Sequence, residues 1–224
     1  MSLALMKASP KYDAAVFDLD GTLLDTLQDI ADSVNAALAA EGLAGHPADS
    51  YRLMVGNGMD VLVERAVAGR LEGNASLDRC RERARLEYAG RYNTATRPYD
   101  GVPELLDTLS ARGLRLAVLS NKPDEYTVKI IREYLDGYFE IVRGARPDFP
   151  KKPDPTQALD ILFSMGAAPE RALMIGDSGG DMETALRAGM VPVGVLWGFR
   201  EEQELRASGA SALIARPADL LALL

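Results

Sequence analysis

From residue 103 onward, short apolar runs alternate with amphipathic stretches across links of only a few residues, and few folds accept that rhythm. Helical patterning marks residues 103–113, 124–135, 154–166, 179–189 and 201–208, with Gly113 as the stop of the first. Strand-like runs lie among them at 114–121, 139–144, 172–177, 191–197 and 212–215, and residues 217–224 complete the alternation. A further run at 14–19, ending in acid and then Gly21, reads as a buried parallel strand. Strands joined through helices form right-handed βαβ units. The expected architecture is therefore α/β, a Rossmann-like parallel sheet with helices on both faces.

Residues 25–95 break the rhythm, because no convincing strand lies among them. Asp25 and Gln28 have capping-box spacing, Ile30, Val34 and Leu38 recur every four residues, and Gly42 suits a helix end. Pro47 can open a second helix, which Gly56-Asn57-Gly58 interrupts, and residues 59–69 and 76–93 read as two more. The economical organisation is one α/β core, residues 1–21 and 96–224, interrupted by a helical cap at 22–95.

Composition narrows the chemistry. Lys and Arg total 25 against 33 Asp and Glu, a net charge of −8, which argues against nucleic acid or an anionic membrane as partner. A single cysteine, Cys80, excludes a disulfide framework or cysteine-rich zinc site, and a single histidine, His46, leaves little room for a Ser-His-Asp triad. No apolar run reaches about 18 residues, and residues 1–13 lack a signal-peptide core, so a cytoplasmic location is expected, as a monomer or homodimer.

In open α/β sheets, ligands bind at the carboxyl ends of the strands. Those ends carry Asp18-Leu19-Asp20-Gly21-Thr22, Ser120-Asn121-Lys122 and Asp177-Ser178 with Asp181 nearby, while Lys151-Lys152 precede the helix near Pro155. Asp18 and Asp20 project to one side of extended backbone, and two unpaired carboxylates that close repel. A hard divalent cation such as Mg²⁺ resolves the conflict, with Asp177 as a third carboxylate. The bland alternative is a strand end and a helix cap.

The motif DLDGT (18–22), followed in order by LSNK (119–122), KKPDP (151–155) and GDSGGD (176–181), resembles the haloacid dehalogenase-like hydrolases, specifically phosphatases with a helical cap inserted after the first motif. The resemblance implies that Asp18 is the nucleophile forming an aspartyl-phosphate, and that Asp20 acts as general acid and then base. It implies that Ser120 and Lys152 bind the phosphoryl group, and that Mg²⁺ sits among the Asp18 carboxylate, the Asp20 carbonyl and Asp177. Asp181 is either a further, water-mediated ligand or a support that orients Lys152. Lys122 touches phosphate or is a surface lysine; Lys151 is expected to be solvated.

Candidate substrate contacts are Thr22, Asn121, Gly56, Asn57, Gly58 and Arg65. Residues 55–66 resemble the corresponding segment of bacterial phosphoglycolate phosphatases, whose glycine turn would offer backbone N–H groups to a carboxylate while Arg65 adds charge. The alternative there is an ordinary helix break with an exposed arginine. Arg79, Arg81, Arg83 and Arg85 spread around their helix and read as a solvated face. The expectation is an Mg²⁺-dependent phosphatase acting on a small phosphorylated metabolite, phosphoglycolate first. The rivals are a hexose-phosphate mutase or a pyrophosphatase, and, from other classes, a phosphoacceptor signalling domain or a non-catalytic interaction protein. A phosphonate-cleaving relative would need a cap lysine, and residues 25–95 contain none.

Overall fold

The computed structural model describes residues 11–71 and 74–224, so the first ten residues of the expected core lie outside the described residues. Strand β1 (Ala14–Phe17) is followed by a two-residue strand β2 (Leu24–Asp25) and helix α1 (Leu27–Ala40). A 3-10 turn (Ala48–Leu53), α2 (Met59–Val67) and α3 (Asn74–Arg91) come next. Strand β3 (Arg97–Pro98) pairs antiparallel with β2, forming a short ribbon where the helical segment leaves and re-enters the sheet domain. The alternation then runs α4 (Val102–Ala111), β4 (Arg115–Pro123), α5 (Asp124–Tyr134), β5 (Ile141–Ala145), α6 (Thr156–Met165), β6 (Ala172–Gly176), α7 (Gly179–Ala188), β7 (Val191–Val195), α8 (Glu202–Ala207) and β8 (Ala212–Ile214).

The six-stranded sheet has the order β5-β4-β1-β6-β7-β8, and every pairing in it is parallel. Its strands read as continuous apolar runs because both faces are covered. Ala15 and Phe17, Leu116 and Val118, and Leu173 and Ile175 pack into one cluster. Their neighbours Ala14 and Val16, Ala117 and Leu119, and Ala172 and Met174 pack into another on the opposite face. From central β1 the sheet grows towards β4 on one side and β6 on the other, so the topological switch point lies at the carboxyl end of β1.

Helices α1–α3 share a hydrophobic cluster of their own, with Ile30, Val34, Leu38, Tyr51, Val63 and Cys80 buried in it. Asp29, buried in the first turn of α1, accepts hydrogen bonds from the Ala95 and Thr96 backbone N–H groups and the Thr96 hydroxyl at 2.8–2.9 Å. That carboxylate fastens the outgoing and returning chain together.

Four local expectations differ from the structure. The Asp25–Gln28 capping box does not form, because Asp25 belongs to the ribbon and Gln28 Nε2 donates instead to Asp32 at 2.8 Å. The segment after Pro47 is a 3-10 turn, and the last element, Pro217–Ala222, is 3-10 as well. Strand β4 extends past Asn121 to Pro123, through a register irregularity against β5, and carries Lys122 into the interior.

Candidate active site

The carboxyl ends of β1, β4 and β6 converge beneath the helical segment around a cavity of about 640 Å³. Its lining includes Asp18, Asp20, Ser120, Asn121, Lys152 and Asp177 from the sheet domain and Gly56, Asn57, Gly58 and Tyr88 from the helices above. Asp18 follows β1 directly, its backbone N–H donating to Ile175 O at 2.9 Å. Burial pushes the Asp18 carboxyl up to about 7, against the pull of the Lys152 charge.

Lys152 Nζ donates to Asp18 Oδ1 at 2.7 Å and to Asp181 Oδ1 at 2.6 Å. Burial opposes its charge, but the two carboxylates outweigh burial and hold the ammonium above the usual lysine range. Asp181 is completely buried, and its second oxygen accepts from the Ser178 hydroxyl at 2.6 Å and the Ser178 N–H at 3.1 Å, closing the capping box of α7. Both Asp181 oxygens are thus engaged, one of them on Lys152.

Asp20 turns the other way. Its Oδ1 accepts from Lys122 Nζ at 2.6 Å and from the Thr26 hydroxyl at 2.7 Å. Burial works against the Lys122 charge too, but Asp20 more than offsets it and keeps the ammonium above the ordinary range. The repulsion expected between Asp18 and Asp20 is therefore relieved by two separate lysines. The sequence left Lys122, the last residue of LSNK, open between a phosphate contact and a surface lysine, and it did not single out Thr26; the structure places both on Asp20.

Asp177 has no ammonium partner among these contacts. Its Oδ2 accepts from the Phe199 N–H at 2.7 Å, and its Oδ1 lies 3.4 Å from the Thr22 hydroxyl. Burial, with the Asp18 and Asp181 charges behind it, raises its carboxyl well above the usual range. One carboxylate oxygen each from Asp18, Asp177 and Asp181 lies within 4.8 Å of the others. Oxygen-only donors and an unbalanced negative charge fit a hard divalent cation of the Mg²⁺ type.

The cap-side candidates separate on inspection. Gly56, Asn57 and Gly58 line the cavity, and Gly56 and Gly58 take φ of 121° and 91°, which favour glycine. Arg65 does not line it: its guanidinium donates to Met54 O and Asn57 Oδ1, both at 2.7 Å, bracing the turn from outside. Asn121 Nδ2 donates to Gly56 O at 2.9 Å and to Lys152 O at 3.1 Å, and its Oδ1 accepts from Lys152 N. Its amide therefore ties motif to motif and core to cap, and Thr22 sits beside Asp177 outside the cavity lining. The arginines of α3 pair with nearby acids, including Glu41, Glu64, Glu87 and Asp60.

A second link between the layers has no motif. Gly198 and Gly21 let backbone pass close against Asp177, where a Cβ would collide with that side chain. Beyond Gly198, Phe199 inserts into the cap cluster, and Arg200 donates to the carbonyls of Arg52 and Val55. Arg52 in return donates to Gly198 O at 2.8 Å.

The profile of the haloacid dehalogenase-like hydrolases matches residues 12–189, spanning every motif above. The chain belongs to that family. A phosphoglycolate phosphatase of Aquifex aeolicus is 34% identical over 210 residues, covering 93% of this chain and 95% of the relative. One from Nitrosospira multiformis is 36% identical over 207 residues, covering 90% of each. A crystal structure from Lactobacillus delbrueckii subsp. bulgaricus, provisionally named a phosphoglycolate phosphatase, superposes with a TM-score of 0.89 at 28% identity, covering 94% of this chain and 97% of that one. This haloacid dehalogenase-like hydrolase is an enzyme of the phosphoric monoester hydrolase class. No helix among its described residues is long and apolar enough to cross a membrane.

Proposed function

We propose that this enzyme is a cytoplasmic, Mg²⁺-dependent phosphatase that hydrolyses 2-phosphoglycolate through an aspartyl-phosphate on Asp18. The observation that carries the reading is the buried group of Asp18, Lys152 and Asp177 at the switch point of the sheet, with Asp20 held apart on its own lysine. Asp18, Asp177 and the Asp20 carbonyl would hold the cation, which supplies positive charge against the phosphoryl oxygens.

Asp18 Oδ attacks phosphorus, the P–O bond to the leaving group breaks, and the phosphoryl group passes to the carboxylate. Asp20 delivers its proton to the departing ester oxygen and afterwards takes one from the water that attacks the acyl phosphate. Lys152 and Ser120 stabilise charge on the transferring oxygens, and Asp181 keeps Lys152 aimed at Asp18. The cap excludes bulk water while the bond is broken. The substrate assignment rests on the glycine turn of the cap and on relatives of that activity at 34–36% identity.

Phosphate release from a panel of phosphometabolites, with and without Mg²⁺, tests this for wild type and Asp18→Asn. The expected result is Mg²⁺-dependent turnover led by 2-phosphoglycolate and at least a thousandfold loss in the variant. Equal activity of Asp18→Asn would sink the nucleophile. A flat profile would remove the substrate and leave the reaction.

A further inference from the structure

One buried corner of the cavity, beside Asp20, has no part in the steps above. Lys122 reaches it from the end of β4, and Tyr88 reaches it from α3 in the cap. Both line the cavity, and both are more than nine-tenths buried. The Lys122 ammonium lies over the Tyr88 ring, 4.9 Å from its centroid. The Tyr88 hydroxyl makes no hydrogen bond of normal length, although buried polar groups are nearly always satisfied. Edge-on contact with Tyr126 of α5, at 5.2 Å between centroids, fixes the ring. A rigid, buried hydroxyl without an acceptor, beside an ammonium that spends one of its three donors on Asp20, is an arrangement that suits an anion.

Position identifies which anion. Asp20 must come within hydrogen-bond reach of the ester oxygen it protonates, and Lys122 Nζ is 2.6 Å from Asp20 Oδ1. In 2-phosphoglycolate the carboxylate carbon is only two bonds from that same oxygen. We propose that Lys122 and Tyr88 form the subsite that reads the leaving-group carboxylate, so that specificity for a short carboxylate-bearing ester resides behind Asp20. This rests on the phosphoglycolate reading above and names residues for it that differ from Arg65 and the glycine turn. The competing reader is Lys151, exposed at the cavity mouth beside Gly58.

The test is steady-state kcat/KM of the full chain with Mg²⁺ on 2-phosphoglycolate and on ethyl phosphate, in which a methyl group replaces the carboxylate. The measured quantity is the ratio of the two. Tyr88→Phe is expected to cut that preference about tenfold, and Lys122→Met about a hundredfold, mainly through KM for 2-phosphoglycolate. Lys122→Arg should recover part of it, and Lys151→Met should leave the ratio within about twofold. A preference held within twofold in Tyr88→Phe or in Lys122→Met overturns the proposal, as does its collapse in Lys151→Met. Should Lys122→Met fail to fold, Tyr88→Phe decides the matter. Absence of any preference in wild type overturns the substrate reading itself, and is seen before a variant is made.

Discussion

The floor and the roof of the cavity are held by different physics. The floor is a set of strand ends, with the first turn of α7 and the turn before α6, on which Asp18, Asp20, Asp177, Asp181, Lys122 and Lys152 are buried, or nearly so, and wired to one another at 2.6–2.7 Å where they pair. The roof meets it through backbone carbonyls and a few side chains: Gly56 O on Asn121, the Arg52 and Val55 carbonyls on Arg200, and Phe199 and Tyr126 packed against cap residues. Charges on the floor are shielded from water and strongly interdependent, whereas those on the roof are mostly exposed pairs worth little each. The floor is suited to fixed chemistry, and the roof to moving over it.

Breaking the floor should cost most. Lys152→Met leaves Asp18 and Asp181 buried without a counter-charge, so chemical denaturation should show a loss of about 3–5 kcal/mol in stability. Turnover at saturating substrate should fall by at least a hundredfold.

Asp177 offers a sharper probe, because its removal relieves rather than creates strain in the metal-free chain. Its carboxyl is raised, so the folded chain binds that proton more tightly than the unfolded chain does. The stability this confers is present below the unfolded value of about 3.9 and is lost as pH rises towards the folded value. Without Mg²⁺, Asp177→Asn should therefore melt higher than wild type by about 3 °C at pH 7.5, and the gap should shrink at pH 5. Adding Mg²⁺ should raise the melting temperature of wild type and leave the variant unmoved.

At the seam, Arg200→Ala removes two ties to cap carbonyls. It should raise KM about three- to tenfold with a smaller change in kcat, because it loosens closure without touching Asp18. Arg65 should matter least. Its guanidinium braces Met54 and Asn57 at the surface, so Arg65→Ala should cost under about 1 kcal/mol and leave the preference for a carboxylate-bearing ester intact. A selective loss on 2-phosphoglycolate would bring Arg65 and the glycine turn back as the specificity element.

The carboxylates of the candidate site were legible as strand-end residues because strand ends and motif spacing are local properties. Asp18 and Asp177 follow apolar runs that cannot be anything but buried strands in a chain alternating this way, and the switch point puts both at one edge. Lys122 was ambiguous because a lysine two residues past a strand's apolar run usually reaches solvent. Only the register irregularity between β4 and β5 continues the strand and carries it inward. Arg65 carried two readings for the converse reason: a positive charge near a glycine turn suits an anion site, and only the tertiary structure shows its guanidinium on the Met54 carbonyl and the Asn57 amide oxygen. Tyr88 was silent in the sequence, as one aromatic on a helix whose apolar pattern already accounts for it.

Local patterning by itself determined the α/β alternation, the break into helices between residues 25 and 95, and the identity of the residues at the strand ends. These depend on periodicities of two and 3.6 residues and on short-range turn chemistry, which a chain carries whatever its surroundings. Tertiary structure alone decided that Asp18 and Asp20 answer to different lysines, that Asp181 serves Lys152, and that the segment after β7 joins Asp177 to the cap. Each of those pairs residues far apart in the chain, Lys152 with Asp18 across 134 positions and Arg200 with Val55 across 145. Direction and distance between such groups are set by packing, and no local pattern encodes them.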